Sequence, residues 1–336
     1  MLACRADNGG DVKTAFVTGA TGFVGINLVN ELVSQGWDVT CLHRASSDLK
    51  YLRRHPVKLR VGDLNDAGSL ELAMPESVDA VFHVAADTSS WSPHDATQTA
   101  TNVTGTRNLV KAARTRGAKR FVLTSTASAY ARQDGPLSEQ SRSTAMNSWI
   151  NYERSKWLSE EEVRQGVREG LFAVIMNPCA VFGPYDTSVW GGVFGVIKAG
   201  KLALIPPGSV PVNHVAEVAR AHIAAVERGR SGENYILNGE HASFATIFRE
   251  MARMMGVELK APVVPGFVFK GMARVAALIA TIRGTDPDMT PEMADILCRD
   301  NRVETDKAER ELGYRRVPLK QCLQDSYAWL KGEGVL

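Results

Sequence analysis

Cysteine is scarce in this 336-residue chain, and the five present follow no ligand or disulfide pattern. Cys4, Cys41, Cys179, Cys298 and Cys322 lack the spacing of a metal site, and their odd number argues against a disulfide framework. We expect no metal and read the thiols as reduced, which points to the cytoplasm. An excess of charge is also missing: 39 Lys plus Arg against 37 Asp plus Glu leave a formal net charge of +2. Without a basic face or run, nucleic acid is not an expected partner. Long apolar runs are absent too. The opening MLACRADNGG lacks the apolar run of a signal peptide, and residues 1–11 read as a flexible lead-in. The stretch Phe267–Ile282 is too short to span a bilayer and is interrupted by Lys270 and Arg274 at helical spacing. A helix packed on the substrate region is expected there, rather than one resting on a membrane. Internal repeats and low-complexity segments are absent as well. What remains is an ordinary globular composition, 44% hydrophobic and 23% charged, enough for one large domain or two coupled ones.

The first half alternates short β-rich runs with helical patterns. Strands are expected at Thr14–Thr18, Asp38–Leu42, Lys58–Val61, Ala80–Val84 and Arg120–Thr124, with helices such as Phe23–Ser34 and Thr97–Arg116 between them. Such alternation needs right-handed crossovers and gives an α/β fold, a doubly wound parallel sheet covered on both faces. A further strand, Phe172–Met176, follows a helix starting near Ser148. After Pro178 the pattern loosens, with Gly and Pro frequent through Lys201–Pro211, then helices and one strand at Tyr235–Leu237. The expected division is a nucleotide-binding domain over residues 1–178 and a smaller, mostly helical substrate lobe over 179–336. Segments near 212–240, such as Val215–Arg228, return to the first domain.

The first strand runs into KTAFVTGATGFVG, Lys13 to Gly25. Gly19 permits a tight turn, Gly22 lets the backbone approach a pyrophosphate, and Gly25 lets helix and strand pack closely. The helix that follows offers free N–H groups to phosphates. Three glycines alone would mean little; at the first strand–helix junction of an alternating domain they indicate a dinucleotide site. The second strand ends at Leu42-His43-Arg44, where a carboxylate would bind a free ribose 2′-hydroxyl and repel a 2′-phosphate. None stands there. Arg44 can grip the phosphate while stacking on adenine, with Ser46 and Ser47 adding hydroxyls, so NADP(H) is expected over NAD(H).

In NYERSKWLSEEE, Asn151 to Glu162, Tyr152 and Lys156 lie one helical turn apart and share a face. A tyrosine of pKa about 10 is a poor proton exchanger near neutrality. A nearby lysine and the positive ring of an oxidised nicotinamide favour the phenolate and bring that value down. The fifth strand, FVLTSTASAY, delivers Thr124, Ser125 and Thr126 at its carboxyl end, where open parallel sheets bind ligands. One of the three hydroxyls can hold a substrate oxygen beside Tyr152.

Together these residues resemble the extended short-chain dehydrogenase/reductase family, part of the NAD-dependent epimerase/dehydratase superfamily, over most of the chain. The match rests on Thr18–Gly25, Gly62-Asp63-Leu64, His83-Val84-Ala85-Ala86, Asn102-Val103-Thr104-Gly105-Thr106, Tyr152 with Lys156, Asn177-Pro178, Val181-Phe182-Gly183-Pro184 and His214–Ala219. It implies a Rossmann-type fold and roles by position. Gly19, Thr21, Gly22, Phe23, Val24 and Gly25 would form the cofactor turn, and Asp63 and Leu64 would sit at the adenine. Ala85 and Ala86 would line the cofactor groove, and Asn102 would brace the fourth-strand loop. Thr124 and Pro178 complete the cofactor set, Pro178 near the nicotinamide amide. The third position of the family's fifth-strand motif carries the catalytic hydroxyl, which falls on Thr126 where serine is commoner; Ser125 is held in reserve. The chain looks more like the dihydroflavonol-reductase and 3β-hydroxysteroid-dehydrogenase-like branch than the sugar-nucleotide epimerases.

The expected activity is NADP(H)-dependent reduction of a ketone or aldehyde, or oxidation of the matching secondary alcohol. Tyr152 would exchange the proton, Lys156 would hold Tyr152 and the nicotinamide ribose, and Thr126 would orient the carbonyl. The alternative is a sugar-nucleotide epimerase or dehydratase that recycles its cofactor internally. Dehydratases of this family carry an acidic pair after the catalytic hydroxyl, where this chain has Ala127 and Ser128. The run Leu202–Pro207 and the aromatics Trp190, Phe194, Phe267 and Phe269 suggest a pocket of low polarity; Lys198, Lys201 and Arg283 keep a pyrophosphate site open. A third reading, a non-catalytic redox-sensing NADP-binding regulator, leaves Tyr152, Lys156 and Thr126 without a purpose. The partner is a small carbonyl or alcohol compound, and a homodimer is compatible with the chain.

Overall fold

The computed structural model describes residues 12–187 and 189–336. The lead-in over residues 1–11, Cys4 included, lies outside the described residues. Among the described residues ten strands form: β1 (Thr14–Thr18), β2 (Asp38–His43), β3 (Lys58–Val61), β4 (Ala80–His83), β5 (Phe121–Thr124), β6 (Ala173–Pro178), β7 (Ala180–Phe182), β8 (Ser209–His214), β9 (Asn234–Leu237) and β10 (Glu240–Ser243). Around them lie α1 (Phe23–Ser34), α2 (Ala67–Ala73), α3 (Asp95–Thr99), α4 (Gly105–Thr115), α5 (Asn151–Arg168), α6 (Val189–Lys198), α7 (Val215–Arg228), α8 (Phe244–Met255), α9 (Gly266–Arg283), α10 (Pro291–Leu297), α11 (Lys307–Leu312) and α12 (Leu319–Gly332).

Seven strands make one parallel sheet in the order β3-β2-β1-β4-β5-β6-β9. The Rossmann-type α/β fold expected from the alternation is therefore present. Side chains alternate across the sheet, so each strand feeds two cores. Val17, Phe82, Val122 and Met176 meet Leu28 and Val29 of α1 and Val218 of α7 on one face. Phe16, Val81, Phe121 and Ile175 meet Leu70 of α2, Leu109 of α4 and Val163 of α5 on the other. The later segments α7 and β9 belong to this body: α7 packs on α1, and β9 pairs with β6. So does α11, whose Ala308 and Leu312 enter the first core.

Two features depart from the sequence pattern. The helix expected over Thr97–Arg116 is broken into α3, a π-helical turn at Ala100–Thr104, and α4. Such wide turns are rare and gather at functional sites; this one turns Asn102 inward. The second sheet, β10-β8-β7, was not foreseen. Its central strand reads SVPVNH, and a proline inside a run argues against a strand. Pro211 is tolerated because the β7 ladder begins one residue later, at Val212. Against this sheet α6, α8, α9, α10 and α12 build the lobe core around Phe182, Phe194, Phe244 and Leu323. Among the described residues no helix is long and apolar enough to cross a membrane.

Candidate active site

A cleft of about 1230 Å³ opens at the carboxyl ends of β1, β4, β5 and β6 and runs between the sheet and the lobe. That exceeds what a drug-sized ligand needs and suits a dinucleotide together with a second molecule. At its floor Gly19 has φ +71°, and a Cβ there would stand 2.5 Å from the Ala85 nitrogen; one on Gly25 would stand 2.0 Å from the Gly19 oxygen. Both positions exclude any side chain. Gly22 differs: an added Cβ would meet protein no closer than 3.4 Å, so the bare backbone there leaves space on the cleft side. Helix α1 has no side-chain cap and no acid in its first turn, which leaves the amides of Phe23, Val24 and Gly25 to meet an anion. Thr21, Gly22, Phe23, Val24 and Gly25 all line the cleft, and this turn fits a pyrophosphate.

The walls follow outward. Arg44 is exposed at the end of β2, in a turn where its N–H donates to the Ser47 hydroxyl at 3.1 Å and its carbonyl accepts from the Ser47 N–H at 3.0 Å. Among the described residues its guanidinium makes no ion pair. Asp63 and Leu64 lie opposite; the Asp63 carboxylate accepts the Asn65 N–H at 2.8 Å. Ala85 and Ala86 form the groove between, and Pro178 ends β6 on its far side. Asn102 does not reach the cleft. Its amide donates to the Asp87 carbonyl at 2.9 Å and the Ser155 hydroxyl at 3.0 Å, and accepts from the Asp87 N–H at 2.8 Å, so it ties the loop after β4 to α5. His83 works the same way: its ring joins Thr18 (2.8 Å) to Thr106 (2.9 Å), and burial holds its pKa down at about 3.

Tertiary packing sorts the three hydroxyls of β5. The Thr124 hydroxyl lies 2.9 Å from His222 Nε2; since His222 Nδ1 donates to the Val218 carbonyl at 2.7 Å, Nε2 accepts and Thr124 donates. Ser125 donates to Glu160 Oε1 at 2.5 Å, inside a buried network with Asn177 and Asn234. Only Thr126 keeps its hydroxyl beside the Tyr152 phenol, where it accepts the Ser128 N–H at 3.2 Å. Thr124 contributes through its backbone instead: its carbonyl accepts from Lys156 Nζ at 2.8 Å.

Burial pushes the Tyr152 phenol above its ordinary value; the neighbouring Thr126 hydroxyl opposes this and the Glu153 charge adds to it. Burial pulls Lys156 down to about 8, against the upward pull of Glu160. The protein by itself therefore keeps the proton on Tyr152, because desolvation penalises the phenolate, while the Lys156 ammonium is held by the Thr124 carbonyl.

An ion-pair chain that the sequence did not reveal joins the site to the lobe. Glu153, the neighbour of Tyr152, is buried and accepts from Arg299 Nη1 at 2.5 Å. Arg299 also holds Asp295 at 2.6 Å, and Asp295 holds Lys270 of α9 at 2.6 Å. Glu153, Arg299 and Lys270 line the cleft. The lobe side is otherwise largely apolar, with Trp190, Phe244, Val210, Met293, Ile296 and Leu297. Of the four aromatics singled out in the sequence only Trp190 lines the cleft. Phe194 and Phe269 are buried in the lobe core, and Phe267 is exposed outside it. The run Leu202–Pro207, Lys198, Lys201 and Arg283 likewise lie off the cleft.

Fold and cleft define an enzyme of the NAD(P)-dependent oxidoreductase class. The family model "NAD dependent epimerase/dehydratase family" matches residues 15–238. A Synechocystis protein named "Putative dihydroflavonol 4-reductase" is 32% identical over 328 residues, covering 95% of each chain. The solved structure "gox2253" superposes with a TM-score of 0.83 at 33% identity, covering 97% of this chain and 99% of its own. PA4631, titled a nucleoside-diphosphate-sugar epimerase from Pseudomonas aeruginosa, superposes with a TM-score of 0.78 at 26% identity, covering 97% and 99%. The chain belongs to the NAD-dependent epimerase/dehydratase family, within the extended short-chain dehydrogenases/reductases.

Proposed function

We propose that this enzyme reduces a ketone or aldehyde with NADPH, Tyr152 supplying the proton. The observation that carries the reading is the Tyr152 phenol, beside the Thr126 hydroxyl and kept protonated by burial, in the same cleft as the phosphate-fitting turn. When bound, the cofactor supplies a hydride. Thr126 and Tyr152 hold the substrate oxygen, and the phenol proton passes to that oxygen as charge develops on it. Lys156, anchored on Thr124, holds the nicotinamide ribose. Gly19, Thr21 and Gly22 with the first turn of α1 hold the pyrophosphate, and Arg44 holds the 2′-phosphate. The Synechocystis relative's name also favours reduction.

The name of PA4631 favours a second reading, epimerisation of a sugar nucleotide without net change of cofactor. Against it, the lobe cations lining the cleft are already held by carboxylates: Lys270 by Asp295, Arg299 by Glu153 and Asp295, and Arg302 by Asp300. A substrate pyrophosphate would have to displace them or rely on Arg132, an exposed cation of the cleft on the loop after β5. An NADPH-oxidation screen across aldehydes, aryl ketones, ketosteroids and sugar nucleotides separates the two. NADPH should disappear in proportion to product over many turnovers; conversion of a sugar nucleotide at constant cofactor absorbance would decide for epimerisation.

A further inference from the structure

Helix α9 has two apolar faces. Phe269, Ala273, Ala277 and Ala280 are buried against its neighbours. At about 100° of rotation per residue, the opposite face presents Phe267, Met272, Val275, Leu278, Ile279 and Ile282. These six are between 43% and 79% exposed. The stripe runs roughly 22 Å at 1.5 Å per residue. On a surface helix the outward face is ordinarily polar, so small residues inside and large apolar ones outside reverse the usual order. Cations border the stripe. By the same rotation Arg274 falls on one edge and Arg283 on the other, and both are exposed. Neither makes an ion pair among the described residues. The helix carries no Asp or Glu, and its third cation, Lys270, is held by Asp295.

We propose that this face of α9 docks on an anionic phospholipid surface. The large side chains enter the boundary between headgroups and acyl chains, and Arg274 and Arg283 reach lipid phosphates on either side. The charge pattern selects lipid over a second copy of the chain. Two-fold pairing of the stripe would set two arginine-edged, acid-free helices side by side, where like charges oppose association. The next acid along the chain, Asp286, is engaged by His94. Position supports the same assignment. Lys270 lines the cleft, and the Gly266 carbonyl lies 3.8 Å from the sulfur of Cys298, another lining residue. A membrane under α9 thus lies beside the cleft, within reach of a lipid-dissolved substrate, although the docking does not depend on which reaction the cleft performs.

Co-sedimentation of the purified full-length protein with vesicles of phosphatidylcholine, with and without phosphatidylglycerol, tests the proposal. Binding is expected on the anionic vesicles, weak on the neutral ones, and reduced by salt. Arg274→Glu with Arg283→Glu should weaken it by at least roughly fivefold for each arginine. Phe267→Ser, Val275→Ser and Ile282→Ser together should weaken it at least tenfold. These side chains are exposed, so thermal unfolding should be nearly unchanged in both variants. Failure of the wild type to sediment with anionic vesicles overturns the proposal, as does equal binding by the triple variant. A dimer abolished by the triple substitution, with no vesicle binding, would give the face to self-association instead.

Discussion

Replacing Arg299 by methionine isolates the ion pair that joins the catalytic helix to the lobe. Glu153 is 1% exposed; one carboxylate oxygen accepts from Arg299 and the other from the Ser148 hydroxyl, each at 2.5 Å. With the guanidinium gone, that hydroxyl alone remains for a buried charge. Asp295 keeps Lys270 at 2.6 Å, so the loss is confined to Glu153. Removing one partner of a buried pair costs about 3–5 kcal/mol. For a chain of this length, with about 2.1 cal/mol/K of unfolding entropy per residue, Tm should drop by roughly 4–7 °C. Adding Glu153→Gln removes the stranded charge and should restore most of the loss. A role in packing alone would leave the double variant as unstable as the single one. A second readout separates electrostatics from stability. The Glu153 charge already pushes the Tyr152 phenol up, so without Arg299 the alkaline limb of the reduction rate should move to higher pH and return in the double variant. Thermal melts and pH–rate profiles of the three proteins carry the test. Unchanged Tm and an unchanged profile in Arg299→Met would refute the reasoning.

Three further outcomes are expected. Tyr152→Phe should lower turnover by about a hundredfold or more while cofactor titrations stay close to wild type, as loss of general acid catalysis would do; near-normal turnover would remove Tyr152 from the mechanism. Arg44→Asp should shrink or reverse a preference for NADPH over NADH: the charge-assisted bond contributes about 1.5–3 kcal/mol, or roughly ten- to a hundredfold in affinity. An unchanged ratio of the two dissociation constants would make Arg44 a bystander. Burial holds His83 at about 3 and His222 at about 4, so both bind protons less readily folded than unfolded. Their contribution to stability is complete above about pH 6.5 and is lost as pH falls towards 4, at up to about 2.7 kcal/mol per unit. Urea midpoints that match at pH 7 and pH 5 would contradict it.

Much of the fold and part of the site were legible in the sequence because they depend on short-range rules. Strand–helix alternation gave the sheet: β1 and β3 have the expected bounds, and β2, β4 and β5 differ by one residue at one end. The glycine turn was legible because φ +71° at Gly19 and the contact of Gly25 with the Gly19 carbonyl arise within seven residues of one another. Tyr152 and Lys156 share a face because a helix repeats every 3.6 residues. The second sheet escaped notice because its strands are short, one contains proline, and β8 gains its partners from separate stretches of chain.

What the sequence by itself determined, then, is the kind of chemistry on offer: a phosphate turn, a cation instead of a carboxylate after β2, and a phenol, an amine and three hydroxyls near one another. The tertiary structure decided which of those groups meet. Thr124, Ser125 and Thr126 are adjacent in sequence, yet each faces a different side chain: His222 of α7 for the first, and Glu160 and Tyr152, two turns apart on α5, for the others. Glu153 reads as an ordinary helix acid until Arg299 arrives from 146 residues away. The outward face of α9 is likewise invisible in a run whose two sides are both apolar. Backbone geometry and periodicity are local properties, written into a few consecutive residues. Burial, ion pairing and the choice of which face meets solvent depend on distant segments of the chain, and exist only once it has folded.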